Sequence, residues 1–163
     1  MNADFIIIGA GIAGASVAYE LSNKGSVILL EREDLPGYHT TGRSAAMFLG
    51  AYGNQSIRAL TAASRAFFDS PPPSFGSEPL LSPRGALFIG HEGQKNALKK
   101  HYEECLPLVP SVRLMDPSEA ISEVKILKPE YVAGAVYEPD AMAIDVHAMH
   151  QGYLNGLKQQ GAK

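Results

Sequence analysis

The sequence predicts an α/β fold built on a parallel sheet, and three features of its opening segment carry that prediction. Phe5–Ile8 is a continuous apolar run rich in β-branched side chains, the composition of a strand buried on both faces of a parallel sheet. It leads directly into Gly9-Ala10-Gly11-Ile12-Ala13-Gly14, which fits G-x-G-x-x-G. Val17, Ala18 and Leu21 then recur at helical spacing as far as about Lys24, with Gly25 placed to end the helix. Ser26–Leu30 forms a second apolar strand, closed by Glu31. Strand, glycine turn, helix and strand in this order make a βαβ unit.

Composition narrows the function classes. The chain has 163 residues, 45% of them apolar and 19% charged, which suits one soluble domain or part of a larger one. With 14 basic against 17 acidic residues there is no basic excess to attract nucleic acid. No run approaches the roughly 18 apolar residues of a membrane span, and no basic n-region or A-x-A site marks a secretory signal. The single cysteine, Cys105, excludes an intramolecular disulfide framework and a cysteine-based zinc site. A cytoplasmic protein is expected, with peripheral association at a membrane surface left open.

Each position of the glycine turn has a task in a dinucleotide site. Gly9 permits the tight turn, Gly11 lets a pyrophosphate approach the backbone, and Gly14 allows close helix–strand packing. The free N–H groups and the positive end of the helix receive the diphosphate. Glu31 stands at the end of the second strand, where it accepts hydrogen bonds from a ribose and repels a 2′-phosphate, which argues against NADP. The competing reading is a glycine-rich turn before any helix; strand, helix, strand and acid in register favour the nucleotide. The motif alone does not separate FAD from NAD.

The next segment, REDLPGYHTTGRSAAMFLGAYG, is polar and turn-rich up to the small residues Ser44–Ala46. Small side chains there suit a backbone that approaches a flat ring closely; a surface loop followed by a short helix is the alternative. GAGIAGAS, LEREDLPGYHTTGRSAA, AYG and RALTAASRAFFD together resemble the flavin-dependent D-amino acid oxidase superfamily, and within it the bacterial catabolic D-arginine and related D-amino acid dehydrogenases. The similarity continues through LLSPR and IDVHAMHQGYLNGLKQQGA, so it spans nearly the whole chain.

That resemblance implies FAD as cofactor. It implies that Gly9, Gly11, Ile12, Ala13 and Gly14 line the FAD diphosphate, and that Glu31 with Arg32 holds the adenosine end. It places Thr41, Arg43, Ser44, Ala45 and Ala46 beside the diphosphate, ribityl chain and flavin ring. Met47 and Tyr52 match positions of the active-site wall and its mobile lid. Two of the substrate-pocket positions depart from an arginine site. Ala86 stands where a carboxylate would pair with a guanidinium, and Met47 replaces a polar, often histidine, position with an adaptable apolar side chain. Neutral or apolar D-amino acids are therefore the expected substrates.

The implied reaction is oxidative deamination: the amine loses a proton, the Cα hydride passes to flavin N5, and the imine hydrolyses to a 2-oxo acid and ammonia. No catalytic acid or base is assigned, because this oxidation proceeds from the neutral amine. The electron acceptor, carrier or oxygen, is left open, with dehydrogenase the reading by likeness. A flavin oxidase of glycine or secondary amines is a second reading. A truncated product or nucleotide-binding subunit without turnover is a third.

Along the remaining chain, Ser56–Phe68 is expected as a helix with Ile57, Leu60, Ala63 and Phe67 on its packing face, and Pro71–Pro73 as a surface excursion. Strands are expected at Gly85–Gly90, Val112–Met115 and Val132–Tyr137. Helices are expected near Gln94–Cys105, from Asp116-Pro117 onward, and over Ile144–Gln159, the last ended by Gly161. Functionally, residues 1–79 are assigned to a first part of the FAD-binding domain, 80–140 to part of a mixed-sheet substrate domain, and 141–163 to a helix returning to the FAD-binding domain. Members of the resembled family are more than twice as long, so the chain reads as truncated, with its missing partner the C-terminal half and its carboxylate-binding groups.

Other chemistry has little support. His147 and His150 lie at i and i+3 but gather no carboxylate or cysteine beyond Asp145, so no metal is expected and a packing or solvated role is preferred. Cys105 has only Glu103 and Glu104 beside it in sequence, and Ser44 lacks a nucleophile elbow.

Overall fold

The computed structural model describes residues 2–162. It divides into two compact units: Met1–Ala46, Phe67–Leu81 and Ile144–Lys163 make the first, Met47–Ala66 and Ser82–Ala143 the second. The stretch 47–66 thus belongs with the antiparallel strands that follow rather than with the glycine turn that precedes it.

In the first unit, β1 (Phe5–Ile8) and β2 (Val27–Leu30) pair in parallel, Phe5 opposite Val27 and Ile8 opposite Leu30. The connecting helix α1 (Ile12–Ser22) and the last helix, α5 (Val146–Gln159), cover one side of the pair. Ala18, Val27 and Leu157 form one cluster there, joined by Phe5 and Ile7. Ala15, Phe75, Leu80 and Tyr153 form the second, in which the Phe67 and Tyr153 rings stack at 5.9 Å. Helix α5 begins at Val146 and not at Ile144, because the Asp145 carboxylate caps it by accepting the Ala148 N–H at 2.8 Å. Gly161, at φ +82°, follows its end as expected.

β1 departs from the expected two-sided burial. Its side chains alternate, so Phe5 and Ile7 face the helices while Ile6 and Ile8 are 62% and 86% exposed. A strand alternates faces with period 2, and helices on one side cover only every second residue.

In the second unit, β7 (Gly134–Glu138) is the centre of an antiparallel sheet between β5 (Ala86–Gly90) and β6 (Arg113–Met115). Helix α3 (Lys95–Cys105) contributes Leu98 and Cys105 to a core with Val136. Helix α4 (Pro117–Glu123) contributes Ala120 to another with Ala135 and Met115. Asp116 starts α4 with a capping box, its carboxylate accepting the Glu119 N–H and its own N–H donating to the Glu119 side chain. Three short strands that the alternation pattern did not reveal, β3 (Met47–Phe48), β4 (Leu81–Pro83) and β8 (Met142–Ile144), form a sheet in the order β3–β8–β4. They span two or three residues each, too few to show a period.

Helix α2 (Gln55–Asp69) forms where expected and packs Phe67 as expected, but its first half turns a different face inward. Ile57 and Leu60 are 44% and 65% exposed, whereas Arg58 is buried. Its guanidinium donates to the Glu104 carbonyl at 3.2 Å and to the Glu104 carboxylate at 3.4 Å. A buried arginine is tolerated when its charge is paired, and that pair faces inward in the first half of the helix in place of Ile57 and Leu60.

Candidate functional site

The first unit builds a polar cradle around the glycine turn. Gly9 has φ +95°, a conformation that costs a residue with a Cβ, and its N–H continues the strand pairing to the Leu30 carbonyl at 2.7 Å. A Cβ on Gly14 would lie 1.8 Å from the Gly9 carbonyl oxygen, so no other residue lets the helix sit this close to the turn. Gly11 caps α1 in extended conformation without a side-chain partner. The first N–H groups of the helix have no acceptor within it. For Ile12 that acceptor comes from Thr41, whose Oγ1 lies at 2.9 Å. An oxygen therefore already sits at the positive end of α1, where a phosphate oxygen would be favoured.

Glu31 closes the other side. One carboxylate oxygen accepts the Ala10 N–H at 2.7 Å; the other accepts the N–H groups of Arg32 at 2.7 Å and Glu33 at 3.1 Å. The Glu33, Ala10 and Arg32 amides, in that order, hold its carboxyl below the usual carboxylate range. It is exposed and ionised, able to accept further hydrogen bonds from a ribose. Arg32 points away from this network and pairs with Glu33 at 2.8 Å; His39 also reaches Glu33, at 3.0 Å.

Thr41 lies in a 3-10 turn (Thr41–Arg43) closed by the Gly42 N–H donating to the Gly37 carbonyl at 2.9 Å. Arg43 stacks over Tyr38 at 5.1 Å, Ser44 donates to the Thr41 carbonyl at 3.1 Å, and Ala45 is exposed. Ala46 adopts φ +53°, a left-handed conformation that is costly for a residue with a Cβ. The Ile144 N–H donating to its carbonyl at 2.7 Å holds it there. A cleft of about 390 Å³ opens among Thr41, Ser44, Ala46, Val146, His147 and His150. Thus Gly9, Gly11, Ile12, Gly14, Glu31 and Thr41 are drawn into one connected cradle, whereas Arg32 is directed outward. The cradle fits a dinucleotide: a glycine turn that no Cβ could fill, a helix N-terminus and an acid at the end of the second strand.

The substrate-pocket candidates lie in the second unit. Met47 pairs with Ala143 on β3, and Tyr52 is 62% exposed. Ala86 on β5 stands directly opposite Glu138 on β7, so both side chains leave the same face. The residues 50–51 before Tyr52 are tied down by Glu138, whose carboxylate accepts the Gly50 N–H at 2.7 Å and the Ala51 N–H at 3.0 Å. Glu138 is 2% exposed.

Sequence reasoning missed Glu138, and it read His150 only as a packing or solvated residue. His150 is buried on α5, with Nε2 at 2.7 Å from the Ala10 carbonyl. An acid at the end of a strand and a histidine on an amphipathic helix carry no distinctive spacing, so nothing in the order of residues marks either. Among the described residues no group of three or more His, Cys, Asp or Glu gathers as a metal site, and no helix is long and apolar enough to cross a membrane. Cys105 lies 3.7 Å from the His101 ring nitrogens, but burial pushes the thiol up and the imidazole down, which keeps both neutral.

Comparison with known proteins agrees with this geometry. Similar solved structures include L-proline dehydrogenase from P. horikoshii, 21% identical with a TM-score of 0.81 over 99% of this chain and 43% of that one. Glycine oxidase from Geobacillus kaustophilus is 20% identical, with a TM-score of 0.82 over 99% of this chain and 45% of its own. FAD-bound L-alpha-glycerophosphate oxidase from Mycoplasma pneumoniae is 17% identical, with a TM-score of 0.82 over 100% of this chain and 44% of its own. The chain spans less than half the length of each. At these identities the likeness is one of fold. Residues 4–163 match the model of the FAD dependent oxidoreductase family, DAO, and the chain belongs to that family.

Proposed function

We propose that the chain carries the cofactor cradle and one wall of the substrate pocket of an FAD-dependent enzyme that oxidises D-amino acids with neutral or apolar side chains to 2-oxo acids and ammonia. The observation that supports the cofactor assignment most is the network in which Glu31 and Thr41 converge on the glycine turn. Gly9, Gly11, Ile12, Ala13 and Gly14 would hold the diphosphate, Glu31 the adenosine ribose, and Thr41 through Ala46 the stretch toward the flavin. Bound FAD supplies a two-electron acceptor for the substrate C–N bond. The residues of this chain bind and orient it; no proton transfer is assigned to them. Groups that grip the substrate carboxylate would lie in sequence beyond these residues, in keeping with the length of the matched structures.

The side-chain preference rests on Ala86 and Glu138. A guanidinium is held best by a carboxylate with free oxygens in a bidentate pair. Ala86 offers none, and its cross-strand partner Glu138 spends one oxygen on each of two backbone N–H groups. A buried acid so engaged is a brace for the loop that carries Tyr52, not a receptor for a cation.

Anaerobic reduction of the protein-bound flavin by a panel of amino acids tests this reading. Neutral and apolar D-amino acids should bleach the flavin faster than D-arginine, and Ala86→Glu should shift the preference toward D-arginine by about tenfold or more. Faster bleaching by D-arginine in the unmodified protein overturns the side-chain assignment. Bleaching by glycine, sarcosine or L-proline but not by D-amino acids overturns the substrate class.

A further inference from the structure

We infer that His150 is a positioning residue for the cofactor, a single imidazole that joins the two loops of the proposed FAD cradle; this rests on the reading above. Its Nε2 lies 2.7 Å from the carbonyl oxygen of Ala10, between the first two glycines of the G-x-G-x-x-G turn. A carbonyl only accepts, so Nε2 carries the proton and donates. Both partners are buried, His150 at 3% and Ala10 at 3% exposure, so water does not replace the bond. The same ring also meets the second loop. A Cβ built on Gly37 would lie 3.0 Å from the imidazole Cε1 and 3.2 Å from Nδ1, and Gly37 has φ +81°, so this turn reaches the ring only as glycine.

The contact matters because of what each loop carries. The Gly37 carbonyl accepts the Gly42 N–H at 2.9 Å, which closes the turn that presents Thr41, and Thr41 in turn accepts the Ile12 N–H. Ala10 is held on its other side by its own N–H donating to Glu31. His150 therefore fixes the direction of the Ala10 carbonyl and buttresses the turn that supplies Thr41. Both loops would receive the diphosphate. The ring also lines the 390 Å³ cleft with Ser44 and Ala46. With His147 exposed on the same helix, the pair divides its labour: one histidine is buried in the cradle and the other faces solvent.

The test compares His150→Leu, which keeps the volume and removes the donor, with His150→Gln, whose amide N–H reaches the same place as Nε2. Backbone amide exchange is read first, since it needs no cofactor. His150→Leu should speed exchange in both 9–14 and 37–42 by about tenfold or more, while His150→Gln restores protection. FAD affinity, from quenching of flavin fluorescence, should fall by about tenfold or more in His150→Leu and recover in His150→Gln. Unchanged exchange in both loops in His150→Leu overturns the inference, as does equal disturbance by Leu and Gln, which would make His150 a space filler. Failure of the unmodified protein to bind FAD would contradict the proposed function instead, and the exchange result would still decide the role of His150.

Discussion

In the first unit the parallel pair β1–β2 is covered by helices on one side and leaves Ile6, Ile8 and Leu30 largely open. In the second unit β7 has Val136 and Ala135 at 0% exposure, one in the core built with α3 and the other in the core built with α4. The first unit is tied together around its glycine turn by polar links from distant residues, Glu31, Thr41 and His150. The second derives its order mainly from apolar packing, with Glu138 bracing a loop and Arg58 paired with Glu104. The contrast separates a binding device, whose geometry depends on where N–H and C=O groups point, from a scaffold whose geometry depends on volume.

The largest expected effect is at the closest approach in the first unit. Gly14→Ala forces a methyl into the Gly9 carbonyl and should cost about 3 kcal/mol by urea denaturation, near the upper end of overpacking penalties. It should also abolish cofactor binding. A cost near zero would mean that the turn and α1 are not held as described.

Paired substitutions on the strands test the burial contrast itself. Val136→Ala removes volume from a closed core and should cost about 2 kcal/mol, while Ile8→Ser at a position 86% exposed should stay within about 0.5 kcal/mol. Equal losses in denaturation midpoint would show that the outer face of β1 is covered in solution.

A smaller effect should appear with pH in the second unit. Burial, followed by the charge of Arg58, lowers the His101 pKa below its usual value of about 6.5, so the unfolded chain takes up a proton that the native imidazole refuses. The stability this contributes is complete above the unfolded value and is lost as pH falls through it toward the folded one. Urea midpoints should drop between about pH 7.5 and 5.5, and His101→Phe should flatten that slope. A slope unchanged by the substitution removes His101 as its source.

Legibility in the sequence followed the same division. The βαβ unit could be read because a continuous apolar run, a glycine pattern and a terminal acid each have a local signature, and the structure joins Gly9, Gly14 and Glu31 as those signatures require. The helix of residues 55–69 was legible as a helix but not as to its buried face, since Arg58 pairs with Glu104, 46 residues away, and such a pair leaves no periodic trace. The strands at 47–48, 81–83 and 142–144 were hidden by their shortness. Thr41 stood out through its family-like segment, but its role as acceptor for the Ile12 N–H depends on a contact 29 residues apart. The partners of Glu138 and His150 were hidden for that same reason: they are backbone groups, which every residue possesses.

The measurement that tests the account most directly is retention of flavin after desalting, in the unmodified protein and in the double variant Thr41→Val with Glu31→Gln. The unmodified protein should keep the visible absorbance of oxidised FAD. The double variant, which loses the hydroxyl at the end of α1 and the charge at the end of β2 without loss of volume, should release it while its far-UV spectrum stays the same. Flavin held equally well by both proteins would contradict the cradle described here, and so would a folded unmodified protein that retains none.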